Sequence, residues 1–327
     1  MSDYEEILSK RALIVICIVS LALLIVGTIL LILDYNEALY IENSIVQLIF
    51  EIITFTGNGL FLILTVAVFN FIYDKRFAKN FYFMWIFSGG INTMLKEIIK
   101  EPRPLTNITK EAQRGYSSSG YGFPSGHAQV AASLWGYTAY DFKDKAKPNL
   151  IPVIFSIFIF LVALSRVIIG VHSIKQIVWG LLIGIVILIA FLHLEPILSE
   201  KINLLSLPMK IILAIIVSVL YAVLGPLLFP ESAGYGVNIY AISGGSLLGL
   251  SVGYILEGEY VKYEPSELNT KQKVINLTVG IIILLIFLIF VYGLIIGNDI
   301  LLFIQNAILS LIIILLIPYI FTKIRRT

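Results

Sequence analysis

Apolar residues fall along this chain in long blocks separated by short polar breaks. A bilayer-spanning helix needs roughly 20 such residues in a row. The blocks predict ten helices, at 12–33, 57–73, 80–99, 127–141, 149–169, 173–194, 208–229, 237–256, 274–296 and 299–322. A further stretch, 42–56, is shorter and amphipathic, and is expected to lie along the membrane interface. The expected fold is all-α, a polytopic helical bundle integral to the membrane, because lipid leaves backbone polar groups no partner but their own helix.

Composition agrees. Of 327 residues, 58% are hydrophobic and 13% charged, where a soluble domain carries about 25% charged. A net charge of +2 predicts no nucleic-acid partner. Cys17 stands alone, which rules out an internal disulfide and a cysteine metal site, and it is expected to be a packing residue. The block 12–33 is longer than a signal-peptide core and no small-residue cleavage site follows it, so it is expected to be a span.

Charge sets the expected orientation. With the N-terminus in the cytoplasm, most Lys and Arg fall in inner segments, as the positive-inside rule asks. The exceptions are Lys96, Lys100, Arg103, Lys110, Arg114, Arg166 and Lys175, all outer and confined to two regions. The other outer segments, 34–56, 230–236 and 296–298, carry no Lys or Arg. Such clustering predicts an anion site on the outer face; the plainer reading is two basic loops facing anionic headgroups. The expected setting is a multi-pass protein of the plasma membrane, with both termini cytoplasmic and membrane lipids as neighbours.

Three polar stretches carry candidate chemistry. In "KEIIKEPRPL" (96–105), Lys96, Lys100 and Arg103 have the spacing of one helical face, and Pro102 and Pro104 end the helix there. Cations that snorkel at a helix end would look the same. In "GFPSGHAQVAAS" (122–133), Ser125, Gly126 and His127 open an apolar helix. Backbone N–H groups at a helix start favour an anion, Gly126 permits close approach, Ser125 adds a hydroxyl donor, and His127 can move a proton near neutral pH. An ordinary Ser-capped helix is the alternative. In "SRVIIGVHSIKQ" (165–176), Arg166 can grip phosphate oxygens and Gly170 allows a turn before His172. Ionisable groups at membrane depth are functional candidates by default. Lys175 has no assigned role and is expected to face headgroups.

Together these supply cations, a helix N-terminus and two histidines. That inventory serves phosphoryl transfer, which needs positioning, charge stabilisation, a nucleophile and an acid, and it expects no metal and no cofactor. The pattern K-x6-R-P (Lys96, Arg103, Pro104), P-S-G-H (124–127) and S-R-x5-H (Ser165, Arg166, His172) resembles the three signatures of the type-2 phosphatidic acid phosphatase superfamily. These are integral-membrane lipid phosphatases, related in core to vanadium haloperoxidases. The resemblance covers about 60–195. It implies that His172 attacks phosphorus to form a phosphohistidine and that His127 protonates the leaving oxygen. It implies that Lys96, Arg103, Ser125, Gly126 and Arg166 hold the phosphoryl oxygens. Lys100, Lys110 and Arg114 match no signature; a second phosphate or a headgroup is the guess for them.

One position departs from the pattern. Where the family has Asp four residues after the histidine, this chain has Gln176. Its amide oxygen can still orient His172 but supplies no charge, so His172 is expected to be less basic than in an Asp-bearing relative. Gln176→Asp is expected to retain or raise activity. Gln here resembles the dolichyl-diphosphatase and glucose-6-phosphatase branches, and the latter also carry extra helices after the core.

The expected organisation is a six-helix phosphatase core over 1–206 and about four further helices over 207–327, their role open. Gly245, Gly249 and Gly253 predict close helix packing, inside the protein or at the seam of a homo-oligomer. His193 and Glu195 are expected to be a bystander pair, and Asn107 heads a glycosylation sequon. The expected substrate is a phosphorylated lipid, with a polyprenyl diphosphate first. The rivals are a water-soluble sugar phosphate, phosphoryl transfer to another lipid, a transporter or anion channel, and a phosphate-binding scaffold without catalysis.

Overall fold

The computed structural model describes residues 7–104, 120–230, 238–292 and 298–324. Lys110, Arg114 and the sequon at Asn107 lie outside them. The described residues form helices and no strand. In order these are α1 (Lys10–Ile32), α2 (Ser44–Phe55), α3 (Gly59–Ile72), α4 (Lys75–Ile99), and α5, which runs from Gly126–Val130 through a π turn at Ala131–Trp135 into Gly136–Asp141. Then come α6 (Leu150–Ile168), α7 (Ile174–Asn203), α8 (Leu207–Leu228), α9 (Ile239–Leu256), α10 (Thr270–Tyr292) and α11 (Asp299–Leu311), which continues through a second π turn to Ile324.

All ten expected spans are helices. Seven of them, among the described residues, are long and apolar enough to cross a membrane unaided: α1, α6, α7, α8, α9, α10 and α11 with its extension. α3, α4 and α5 do not meet that length and composition on their own. α3 has 14 residues, α5 is also short, and α4 carries Lys75, Arg76, Lys79, Lys96 and Glu97. α1 is apolar on every side, and Gly27 is its one buried residue. Cys17 is therefore exposed on α1 and is not the packing residue expected.

The chain divides into two compact units, Met1–Asn58 with Leu95–Lys201, and Gly59–Met94 with Ile202–Thr327. The first holds every candidate site residue. Its core is built from Ala128, Ala163, Val167 and Ile177, where α5, α6 and α7 meet. Gly180 and Gly184 let α7 lie close on α5. A Cβ at Gly180 would stand 2.7 Å from the Ser125 carbonyl oxygen, and one at Gly184 would strike the Gln129 carbonyl. α2 turns its polar positions Gln47 and Thr54 inward and exposes Ile45, Leu48, Ile49, Ile52 and Phe55. Gln47 donates to the carbonyls of Ile41 and Ile168, which fastens α2 to the end of α6.

In the second unit α9 is packed between α8 and α11. Gly245 and Gly249 lie against the carbonyls of Phe303 and Ala307 on α11, and Gly244 faces Ser218 and Ala222 on α8. The glycine stripe is thus occupied within the chain, which settles its packing in favour of the interior over a dimer seam. Two buried polar side chains tie helices of this unit together: Tyr82 pairs with Ser310 at 2.6 Å, and Asn70 donates to the Ile313 carbonyl of the π turn at 2.9 Å.

Candidate active site

The first polar stretch bends where its prolines require it. A residue before proline avoids the helical region, and α4 stops at Ile99. Lys100 adopts φ 52° and is exposed. Lys96, Lys100 and Arg103 therefore do not share a helical face as their spacing suggested. Lys96 is buried in the last turn, while Arg103 lies beyond the helix and turns back into the protein. Arg103 donates from Nε to the Gly120 carbonyl at 3.3 Å and from Nη1 to the Val171 carbonyl at 3.0 Å.

The second stretch starts α5. Ser125 sits at the N-cap position but makes no capping bond. Its hydroxyl is fully buried and has no hydrogen-bond partner among the described residues. A capping serine would have spent that hydroxyl on the helix, so the Ser-capped-helix reading fails. The Ser125 N–H is committed to the Gln176 carbonyl at 3.0 Å, which ties this stretch to the third. Gly126 begins the helix and His127 follows. The His127 ring lies against Gly57, where a Cβ would come within 2.6 Å of Cδ2.

The third stretch forms the turn from α6 to α7. Gly170 takes φ 91°, as its placement predicted, and the N–H groups of Val171 and His172 both reach the Arg166 carbonyl. Arg166 points its Nη1 at the Thr54 hydroxyl of α2, 2.8 Å away. His172 is buried, 2% exposed. Its Nδ1 lies 2.8 Å from Gln176 Oε1 and its Nε2 lies 3.3 Å from Arg103 Nη1. An amide oxygen only accepts and a guanidinium only donates. His172 is therefore protonated on Nδ1 and carries its lone pair on Nε2. Burial, then the charges of Arg103, Arg166 and Lys96, hold His172 well below the ordinary histidine range; the bond to Gln176 acts the other way.

The structure thus gathers Lys96, Arg103, Arg166 and both histidines: the three cations act electrostatically on His127 and on His172. Ser125 and Gly126 join through the Ser125–Gln176 backbone bond. Lys100 stays outside. His193 bonds to the Ile189 carbonyl of its own helix, as a bystander would.

Four residues were missed. Lys175 does not face headgroups; it is 1% exposed and its Nζ lies 2.9 Å from Glu101 Oε2 and 3.5 Å from Asp34 Oδ1. Gln176 Nε2 donates to Glu101 Oε1 at 2.8 Å, to Asn36 Oδ1 at 3.0 Å and to the Pro102 carbonyl at 3.2 Å. Thr54 holds Arg166. The i, i+1 pair of a buried Lys and Gln on one helix was the available signal for Glu101; Asn36 and Thr54 carried none.

Two family models match the chain. The PAP2 superfamily model matches residues 77–199, and the model described as "PAP2 superfamily phosphatase, transmembrane extension" matches 241–326. The two together cover more than half of the chain. It belongs to the PAP2 superfamily. The second match bears on the C-terminal helices, which fall under a described extension of the family. Among its relatives are sphingosine-1-phosphate phosphatase 1 of Mus musculus, 28% identical over 51% of this chain and 39% of that protein. Lipid phosphate phosphatase delta of Arabidopsis thaliana is 25% identical over 39% of this chain and 33% of its own length. Dolichyldiphosphatase of Saccharomyces cerevisiae is 30% identical over 28% of this chain and 41% of its own length. The chain thus spans about two fifths or less of each of these three relatives. No solved structure matches it significantly.

Proposed function

We propose that this PAP2 protein is a metal-independent membrane phosphatase that hydrolyses a lipid phosphate through a phosphohistidine on His172. The observation that carries the reading is the bonding of His172: Nδ1–H is held by Gln176 and the Nε2 lone pair faces Arg103. In this reading Nε2 attacks phosphorus as the bond to the leaving oxygen breaks, and His127 donates a proton to that oxygen. Water, deprotonated by His127, then attacks the phosphohistidine, releasing phosphate and His172. Lys96, Arg103, Arg166, the Ser125 hydroxyl and the N–H of Gly126 spread the charge of the transferring group. The unpartnered Ser125 hydroxyl supports that role.

The substrate proposed first is a polyprenyl diphosphate. Gln176 and the likeness to a dolichyldiphosphatase support it. The proposed core is 1–206, with 207–327 as further helices. The distribution of Lys and Arg supports cytoplasmic termini, a plasma-membrane setting and an outward-facing site. Purified protein in detergent is offered undecaprenyl diphosphate, phosphatidic acid, sphingosine 1-phosphate and glucose 6-phosphate. Phosphate release that survives EDTA, is blocked by vanadate and is lost in His172→Ala is expected, fastest on the diphosphate. Full activity of His172→Ala would overturn the mechanism, and preference for glucose 6-phosphate the substrate class.

A further inference from the structure

We infer that Glu101 is a positioning residue for His172, acting through the amide of Gln176, and that Lys175 is its charge balance. This rests on the phosphatase reading above. The side chain of Gln176 has two ends, and the two do opposite things. With the oxygen toward His172, Nδ1–H is accepted and Nε2 keeps the lone pair that attacks phosphorus. With the amide turned over, NH2 would face Nδ1, the imidazole would take the other tautomer, and Nε2 would carry a hydrogen and be no nucleophile. A carboxylate at this position would need no such orientation. An amide does.

The surroundings supply it. Three acceptors converge on Gln176 Nε2: Glu101 Oε1 at 2.8 Å, Asn36 Oδ1 at 3.0 Å and the Pro102 carbonyl at 3.2 Å. Turning the amide would set its carbonyl oxygen against all three. Glu101 is the nearest of them and the charged one, and a charged acceptor bonds more strongly. Gly122 closes the other side. A Cβ there would fall 2.5 Å from Nε2 and 2.8 Å from Oε1, so the amide sits in a fitted slot. The Gly122 N–H also donates to the Glu101 carbonyl at 2.8 Å, which fixes one wall of the slot to the other.

Glu101 would by itself draw on the cations meant for phosphate. Lys175 removes that difficulty. Its Nζ lies 2.9 Å from Glu101 Oε2, the oxygen not used by Gln176, and it is buried on the same turn of α7 as the glutamine. The pair is locally neutral, so Lys96, Arg103 and Arg166 remain uncompensated by Glu101. The series Lys175–Glu101–Gln176–His172 thus fixes a tautomer where a single aspartate would have served.

The test compares two double variants that both leave the 101/175 pair uncharged and so spare the fold an unpaired buried lysine. Glu101→Gln/Lys175→Met keeps an acceptor for Gln176. Glu101→Leu/Lys175→Met removes it. On undecaprenyl diphosphate in detergent micelles, the glutamine variant is expected to keep kcat within about threefold of wild type. The leucine variant is expected to lose about tenfold or more in kcat with KM within about twofold, since the change touches the nucleophile and not the grip on substrate. Equal kcat in the two would overturn the inference. If the leucine variant does not fold, Glu101→Ala/Lys175→Met replaces it: it too offers Gln176 no acceptor and is expected to show the same loss. A wild type without activity, or an active His172→Ala, sinks the phosphatase reading itself; equal double variants beside a dead His172→Ala sink Glu101's role alone.

Discussion

Arg103 Nη1 lies 3.3 Å from His172 Nε2, while the same guanidinium holds the Val171 and Gly120 carbonyls. One residue of the first polar stretch thereby locks the backbone of the third and stands at the atom that would attack phosphorus. Lysine cannot make these bonds together, because its ammonium lacks the planar fork. Arg103→Lys is expected to lower kcat/KM by about a hundredfold, or about 2.7 kcal/mol of transition-state stabilisation. Steady-state kinetics on the preferred lipid phosphate checks this; a loss under threefold would mean that charge alone suffices.

Gly57 tests the proposed acid. Gly57→Ala would bring a methyl to 2.6 Å from Cδ2 of His127, so the ring must move. An acid matters most when the leaving group is poor. The variant is expected to lose about tenfold or more on phosphatidic acid, whose leaving oxygen is an alcohol, and much less on p-nitrophenyl phosphate, whose leaving group departs without help. Equal losses on both would point to general damage at the site.

The pH profile follows from His172. The attacking form is neutral, and burial with three nearby cations holds its protonation well below the ordinary range. Activity through His172 is therefore present above that depressed value and is lost only as pH falls through it. The acid limb of kcat/KM is expected below about pH 6.5, the unperturbed histidine value. A limb above that value would mean that the group titrating is not a buried, cation-flanked His172.

How the site could be seen in the sequence depends on where its contacts run. Lys96, Arg103, Ser125, His127, Arg166 and His172 could be proposed because their order and spacing resemble three family signatures. The glycine stripe of α9 was legible because small residues four apart leave one surface for a neighbour. Lys100 misled, since helical spacing was extended past Ile99, where the chain leaves the helix. Lys175 misled for a different reason. It counted as an outer cation, but its partner Glu101 lies in another stretch, 75 residues before Gln176, and no local pattern joins them. The polar inner face of α2 was hidden because the helix reads as an interfacial one, apolar on one side, whichever side packs.

The last prediction reverses an expectation drawn from sequence. Gln176→Asp restores the family's usual residue and, on the motif alone, should retain or raise activity. The pocket says otherwise. The space around Gln176 Nε2 is lined by Glu101 Oε1, Asn36 Oδ1 and the Pro102 carbonyl, all acceptors. An aspartate there would set a second carboxylate beside Glu101 with no donor between them, a like-charge contact in a buried site. Gln176→Asp alone is expected to lose about tenfold or more in kcat. Adding Glu101→Gln gives the new carboxylate an amide donor in place of a repelling charge. The double variant Gln176→Asp/Glu101→Gln is then expected to recover most of the rate. Its acid limb should move to higher pH than wild type, because a carboxylate at Nδ1 favours the imidazolium and raises the value below which the nucleophile is protonated. Rates and pH profiles of wild type, single and double variants decide it. A fully active single variant would show that Glu101 and the new aspartate do not meet, and that the amide of Gln176 is not what the pocket is built around.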